Sequence, residues 1–193
     1  KAMEFAGDGM KNLTMSDRIA ICNLCVEAGA KTALMEVDDI ALHYLHEHGR
    51  EPKACFASDA DAHFAAVYDI DLSTITSIVA KPHFVDNVCP AKEAAGVKID
   101  EAFLGSCNNG RIEDLRVGAE LLKGRKVHPL VRFLVVPASQ AVYQQALKEG
   151  LLKIFMEAGA IVMNPNCSVC WGSCQGVIGE GETLISTGTR NFK

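Results

Sequence analysis

Residues 101–122 read EAFLGSCNNGRIEDLRVGAELL, and this stretch decides the fold that the sequence predicts. Residues 102–104 form a short apolar run typical of a strand, and the polar, glycine-rich residues 105–110 form a loop. Residues 111–122 carry apolar side chains at helical spacing, and Gly124 can end that helix. Strand, loop and helix in this order are typical of a unit that builds parallel sheets.

The same order continues towards the C-terminus. Residues 133–136 form a strand without a polar side chain, as expected in a sheet that is covered on both faces. Ser139 begins a helix that ends at Gly150, residues 151–158 form another helix, and residues 161–163 form a further strand. We therefore predict an α/β fold in α/β/α layers, with a mostly parallel sheet.

The N-terminal part carries a predicted helix over residues 16–27. Ser16 can cap its start, and Gly29 can end it. Asn23 and Glu27 lie four residues apart, so we expect them to share one face of this helix.

Further elements and a boundary follow from local patterns. A second helix is predicted over residues 40–48, and the β-branched residues within 66–78 predict two short strands. The sequence Lys-Pro-His at 81–83 interrupts the pattern and predicts a domain boundary. We expect two domains: residues 1–80, part of a central α/β domain, and residues 81–193, a more complete α/β domain.

Composition narrows the class of protein. The 193 residues are 49% hydrophobic and 22% charged, which is typical of a globular protein. The net charge of −5 argues against nucleic acid as a partner. The sequence shows neither a membrane-spanning stretch nor a signal peptide, and we expect a cytoplasmic protein. Because the chain begins with Lys and stops just after a patterned segment, we expect a piece of a longer polypeptide.

Eight cysteines stand out in this composition. A chain without an export signal is expected to keep them reduced, so that some line the core and others bind metal. Inert core positions suit four of them, Cys22, Cys25, Cys55 and Cys89, and Cys174 is a further candidate for such a position.

Two cysteine loops follow predicted strands, and loops at the carboxyl ends of parallel strands converge on one crevice. Cys167 and Cys170 have the CxxC spacing that places two sulfurs near one metal, and Cys107 can add a third. Alternatives remain open at this point. They are a thioredoxin-like redox pair, a zinc site with Cys174 as fourth ligand, and a lone nucleophilic Cys107.

Four segments resemble signatures of the aconitase and 3-isopropylmalate dehydratase superfamily, and they come in the order found there. The similarity to its large, cluster-binding subunits covers essentially the whole chain. The family usually has Thr at position 108 and Asn at position 189, where this chain has Asn and Thr. The segments are GSCNNGR at 105–111, CSVCWG at 167–172, TRNF at 189–192, and ICN at 21–23 with Glu27.

The resemblance implies a [4Fe-4S] cluster held by Cys107, Cys167 and Cys170. Three thiolates leave one iron open to act as a Lewis acid on a hydroxy-acid. Cys174 is not a ligand in the family and is assigned to the surroundings of the cluster. Asn109 is expected to order the Cys107 loop.

Four residues gain roles from the resemblance alone. Arg190, with Thr189 beside it, is expected to hold a substrate carboxylate in a two-pronged ion pair. Asn23 is expected to hydrogen-bond the cluster, and Glu27 to orient the water or hydroxyl on the open iron.

The resemblance further implies the reaction and the partner. We expect a hydro-lyase that interconverts 2- and 3-isopropylmalate in leucine biosynthesis, with homoaconitate or another substituted malate as the alternative substrate. A small subunit with the swivelling domain is the expected partner, and this chain alone is expected to be inactive. The rival from another class is a non-catalytic zinc module, closed by Cys174 as a fourth ligand.

Overall fold

A computed structural model describes residues 1–191, which form two compact units, Lys1–Ser77 and a second unit from Ile78 onward. In the first unit, strands β1 (Ala2–Phe5) and β2 (Thr32–Met35) pair in parallel, and helix α1 (Met15–Leu24) lies between them in sequence. Helix α2 (Asp39–Glu47) follows, close to the predicted range.

Helix α1 begins earlier and ends earlier than predicted. Its cap is Thr14 rather than Ser16, because Thr14 Oγ1 accepts the N–H of Asp17 at 3.2 Å and the Asp17 carboxylate accepts the N–H of Thr14 at 2.9 Å. This reciprocal pair satisfies two N–H groups that the first turn leaves free. At the other end, the N–H groups of Val26 and Glu27 bond three residues back, so the chain tightens into turns.

An ion pair between the buried Arg18 and the half-buried Asp38 links α1 to the start of α2. The Arg18 side chain is 3% exposed, and its guanidinium donates to both oxygens of Asp38 at 2.7 Å. It also donates to the carbonyls of Met10 at 2.7 Å and Leu13 at 3.2 Å. Asp38 in turn caps α2 by accepting the N–H of Ala41 at 3.1 Å. Arg18 lowers the pKa of Asp38 from 3.8 to about 2.

The prediction of two strands within residues 66–78 is wrong for residues 66–77, which contain no strand. The chain there is irregular apart from a 3₁₀ turn at Leu72–Thr74, which Asp71 caps by accepting the N–H of Ser73. The β-branched residues expected to pack in a sheet, such as Val67 and Ile70, are exposed. β-branched side chains favour a strand only where a neighbouring strand supplies packing and hydrogen bonds.

The second unit opens with an antiparallel pair, β3 (Ile78–Ala80) and β4 (Val88–Pro90). The segment 81–83, predicted as the domain boundary, lies in the connection between them, where the N–H of Lys81 bonds the carbonyl of Asn87 at 2.8 Å. His83 lies in this connection.

A four-stranded parallel sheet forms the centre of the second unit, with strand order β7-β6-β5-β8. Its elements follow the predicted alternation of strands and helices, and the α/β class with a parallel sheet is confirmed. The last strand was not expected. The elements are β5 (Glu101–Leu104), α3 (Ile112–Leu122), β6 (Arg132–Val135), α4 (Gln140–Lys148), α5 (Leu151–Ala158), β7 (Ile161–Val162) and β8 (Leu184–Ser186).

The sheet is covered on both faces, as the apolar residues 133–136 predicted. One face packs its Leu104 and Val135 against α3, α4 and α5, with Phe155 fully buried. The opposite face buries Phe103 and Leu134 under the irregular segment after β7. Within residues 1–191 this segment takes the place of the second helical layer that we predicted. No helix in this part of the chain combines the length and apolar character that a membrane crossing requires.

We expect Asp38→Asn to lower the free energy of unfolding by about 2 kcal/mol at neutral pH, because the buried Arg18 loses its counter-charge. The amide retains an oxygen for capping α2, so the loss reports the charge rather than the cap. Urea unfolding followed by circular dichroism measures the difference.

The pH dependence gives the control for this experiment. The folded pKa of Asp38 lies below its unfolded value, so the advantage of the wild type is fully present above pH 3.8 and is lost as the pH falls towards 2. Asp8→Asn, which breaks the exposed pair with Lys11, is the matched variant and should leave stability unchanged. An equal loss in both variants would contradict the assignment.

Candidate active site

The strand order places a topological switch point at the carboxyl edge of the sheet, between the ends of β5 and β8, and this place is called the crevice below. The chain leaves β5 towards β6 on one side, whereas β8 pairs with β5 on the other side. Ligands of open α/β sheets bind where neighbouring strands lead in opposite directions in this way. The Cys107 loop follows β5, the segment with Arg190 follows β8, and the Cys167 loop follows β7.

Two glycines let the Cys107 loop lie against the end of β6. A Cβ on Gly105 would stand 2.7 Å from the Phe103 ring, and one on Gly110 would overlap the carbonyl oxygen of Val136 and stand 2.7 Å from that of Ser106. The Gly110 N–H bonds the Ser106 carbonyl at 2.8 Å and so closes the loop. The backbone therefore approaches closely at both ends of the cysteine loop.

Helix α3 begins directly after this loop. The Asp114 carboxylate accepts the N–H of Arg111 at 3.0 Å, which satisfies one of the free donors of the first turn. The carboxylate also suits the positive end of the helix dipole. The start of α3 thus fixes the exit of the Cys107 loop.

The thiols of the two loops differ in exposure. Cys107 and Cys167 are exposed, whereas Cys170 is 7% exposed and ends a short 3₁₀ turn, Ser168–Cys170. The buried Ser168 hydroxyl donates to the carbonyl of Gln175 at 2.6 Å and holds this turn. Within residues 1–191, no three His, Cys, Asp or Glu side chains are close enough to hold a metal ion together. The three-cysteine ligand set therefore stays a prediction.

Arg190 reaches the CxxC loop. Its guanidinium nitrogen lies 3.9 Å from the Cys170 sulfur, so two of the predicted site residues are in contact. Asn191, next in sequence, donates to the carbonyl of Lys81 at 2.6 Å. Phe192, the last residue of the predicted TRNF segment, lies outside the described residues.

Thr187 connects the end of β8 to the Cys107 loop. Sequence reasoning did not single out this residue. Its N–H donates to the carbonyl of Phe103 at 3.1 Å, and its hydroxyl accepts the N–H of Gly105 at 3.0 Å. The side-chain amide of Asn109 donates to the Thr187 carbonyl. This hydrogen bond links the Cys107 loop to the end of β8. The only signal in the sequence was the place of Thr187, just before Thr189 and Arg190.

Asn23 and Glu27 belong to the first unit. Asn23 lies in the last turn of α1, and Glu27 lies in the turns that follow, beyond the helix. Their proposed contacts with a cluster stay predictions.

The four cysteines assigned to the core differ from one another. Cys25 and Cys89 are buried, and Cys22 is half-buried. Burial raises the pKa of the Cys22 and Cys25 thiols, which keeps them protonated and unreactive. Cys55 is exposed, so its assignment to the core is wrong.

A charged cluster anchors the segment between β7 and β8 at its far end. Glu101, with a side chain that is 0% exposed, accepts from the Arg132 Nε at 3.0 Å, and burial raises the pKa of this carboxyl. The same guanidinium donates to both oxygens of Glu182 at 2.8 and 2.6 Å and lowers the pKa of Glu182 to about 2. Because Glu101 and Arg132 begin their strands, this cluster lies at the edge of the sheet opposite the cysteine loops.

Comparison with known proteins decides the family. The family model for the aconitase family (aconitate hydratase) matches residues 1–96 and 90–193. The chain belongs to the aconitase family. Its curated relatives include the 3-isopropylmalate dehydratase large subunits of Acetivibrio thermocellus, 46% identical over 192 residues, and of Aquifex aeolicus, 47% identical over 197 residues. Both alignments cover 100% of this chain and 46% of the relative, so the chain spans about half the length of these proteins.

Membership in the aconitase family implies an iron–sulfur cluster, and the residues at the crevice suit one. Thiolates are the protein ligands of such clusters. Three buried polar atoms beside the cysteines have no hydrogen-bond partner among residues 1–191, namely Asn108 Nδ2, Arg111 Nε and Asn166 Oδ1. A buried polar atom without a partner costs about 1–3 kcal/mol. The sulfides of a cluster can accept hydrogen bonds from the two donors, Asn108 Nδ2 and Arg111 Nε, but they supply no donor for the acceptor Asn166 Oδ1.

We expect Gly110→Ala to lower the free energy of unfolding of this aconitase-family chain by about 3 kcal/mol, because the new methyl meets two backbone carbonyls that cannot move independently. Thermal unfolding measures the loss.

Gly179→Ala is the matched control for the glycine variant. The nearest atom to its added methyl is a carboxylate oxygen of Glu182 at 3.5 Å, an ordinary contact, and its backbone needs no left-handed conformation. A Gly110→Ala chain as stable as the Gly179→Ala chain would show that the loop does not lie against Val136 as described.

Proposed function

We propose that this chain is the cluster-bearing part of a hydro-lyase that interconverts 2- and 3-isopropylmalate in leucine biosynthesis. One combined observation carries the proposal. Three cysteines and Arg190 lie on loops at the carboxyl edge of a parallel sheet, in a chain 46% identical along its full length to a 3-isopropylmalate dehydratase large subunit. Homoaconitate or another substituted malate is the alternative substrate.

Cys107, Cys167 and Cys170 are the proposed ligands of a [4Fe-4S] cluster. With three thiolates for four irons, the group supplies one open iron as a Lewis acid for a hydroxyl, which is otherwise a poor leaving group. Asn109 holds the Cys107 loop in place through Thr187. Cys174 is exposed and is not a ligand in this proposal.

The chain's own residues then bind and orient the hydroxy-acid. Arg190 pairs with a substrate carboxylate, and its fixed fork of donors suits the two oxygens of that group better than a lysine would. Its contact with Cys170 supports this role, because it places the cation beside a proposed ligand. Thr189 is proposed to line the same subsite.

Asn23 and Glu27 are also given roles, on the ground of the family resemblance. Asn23 is proposed to donate a hydrogen bond to a cluster sulfur. Glu27 is proposed to orient the hydroxyl that leaves as water and later returns to the neighbouring carbon. A carboxylate suits this task because it accepts hydrogen bonds from water in fixed directions.

A small subunit is the proposed partner. The names of the relatives describe them as large subunits, and this chain corresponds to 46% of the length of such a subunit. We propose that the complete enzyme works in the cytoplasm and that the small subunit contributes groups that select the substrate.

We expect the anaerobically purified and reconstituted chain to hold about four irons and four sulfides and to be brown. Cys107→Ala, Cys167→Ala and Cys170→Ala should each lose the visible absorption and most of the iron, because each removes a ligand. Iron, zinc and acid-labile sulfide analysis measures this.

Cys174→Ala is the control and separates the proposal from a structural zinc site. It should keep its iron and sulfide, since the cysteine is not a ligand. A colourless chain with about one zinc, which unfolds when Cys174 is replaced, would instead establish a closed four-cysteine site.

The substrate has its own test. We expect 2-isopropylmalate to slow bleaching of the cluster by oxygen when the small subunit from Aquifex aeolicus, the organism of one relative, is added to the reconstituted chain. Occupation of the open iron by substrate would exclude the oxidant. Protection by homoaconitate alone would move the proposal to the alternative substrate.

A further inference from the structure

Thr187 occupies the only described point where the end of β8 meets the Cys107 loop through a side-chain hydroxyl. Strand β8 ends at Ser186, so the regular ladder with β5 stops one residue earlier. The N–H of Thr187 adds one more bond, to the carbonyl of Phe103 at 3.1 Å. Beyond this point the two chains diverge, and only side chains can keep them together.

The Thr187 hydroxyl bridges the divergence in both directions. The hydroxyl oxygen accepts the N–H of Gly105 at 3.0 Å. The hydroxyl donates to the carbonyl of Gly105 at 3.0 Å, and the carbonyl of Asn109 lies 3.4 Å away as a second acceptor. The Asn109 amide closes the arrangement by donating to the Thr187 carbonyl. Both ends of the loop that carries Cys107 are thereby held by one residue.

The segment after Thr187 leads directly to the second part of the crevice. Arg190, three residues on, contacts the Cys170 sulfur at 3.9 Å. The close packing continues at Gly188, where an added Cβ would stand 3.6 Å from the Cβ of Cys170. Thr187 therefore lies between the Cys107 loop, which it contacts directly, and the segment that reaches Cys170.

We propose that Thr187 is a positioning residue that sets the separation between the Cys107 loop and the segment carrying Arg190 beside Cys170. The effect of Thr187 on cluster binding rests on the proposed function. The hydrogen bonds that Thr187 makes do not depend on that proposal. A hydroxyl is required because the site needs an acceptor for the Gly105 N–H and a donor to a loop carbonyl at once. Serine meets both needs, whereas valine has the same shape and meets neither.

The test compares Thr187→Val with Thr187→Ser in the 193-residue chain. The first readout is hydrogen exchange of the buried Gly105 amide in the cluster-free protein. Loss of one hydrogen bond should speed this exchange about fivefold in Thr187→Val, and Thr187→Ser should restore the wild-type rate. The second readout is the iron and sulfide content after reconstitution, together with the rate of bleaching in air. Thr187→Val should hold less iron and sulfide and bleach faster, and Thr187→Ser should match the wild type in both.

Thr183→Val is the matched control, because Thr183 flanks the other end of β8 and makes its hydrogen bonds through its main chain. It should behave as the wild type in both readouts. Should Thr187→Val fail to fold, Thr187→Ala, which leaves room for water to replace the hydroxyl, gives the same comparison with Thr187→Ser.

The outcomes separate the two proposals. Unchanged Gly105 exchange in Thr187→Val, or an equal change in Thr183→Val, overturns the positioning role. Faster Gly105 exchange with an unchanged cluster also overturns it, because the separation would then not matter for binding. If even the wild type takes up no iron and sulfide, the proposed function fails, and the exchange rates alone decide on Thr187.

Discussion

The parallel pairing of β5 with β8 is the interaction on which the crevice depends. Strand β5 has four residues and pairs with β6 on one side and β8 on the other. Because the chain leaves β5 towards β6 and arrives at β8 only much later, the two carboxyl ends lead apart. The space between them receives the Cys107 loop from one side and Arg190 from the other. Without this pairing, the contact between Arg190 and Cys170 would have no support from the sheet.

Elements with a complete local pattern were predictable. Residues 151–158 were predicted as a helix and form α5 with the same bounds, since Gly150 and Gly159 stand at its ends in the left-handed conformation. Ser139 caps α4 as expected. Strand β8 has no such pattern: it has three residues, two of them exposed, and it exists because β5 offers a free edge. For the opposite reason, the β-branched stretch before residue 78 forms no strand, since it finds no such edge.

The place of the cysteine loops in the fold was predictable from the sequence, and the contacts that connect them were not. The cysteine loops could be placed at one edge because each follows a predicted strand. The contact between Cys170 and Arg190 spans 20 residues and depends on β8, so no local pattern indicated it. Thr187 was missed for the same reason, because its partners lie 78 to 84 residues away in sequence.

The close approach of the Cys107 loop to Val136 limits which residues of the motif GSCNNG at 105–110 can be substituted. Gly105 and Gly110 have no room for any side chain, so neutral change is closed to them unless β6 shifts as well. Asn108 differs from the glycines, because its side-chain nitrogen has no protein partner among residues 1–191, so a change there breaks no hydrogen bond of that nitrogen with the chain. Within this motif, change that leaves the backbone as it is can therefore occur at Asn108, which lies between the proposed ligand Cys107 and Asn109, the residue that ties the loop to Thr187.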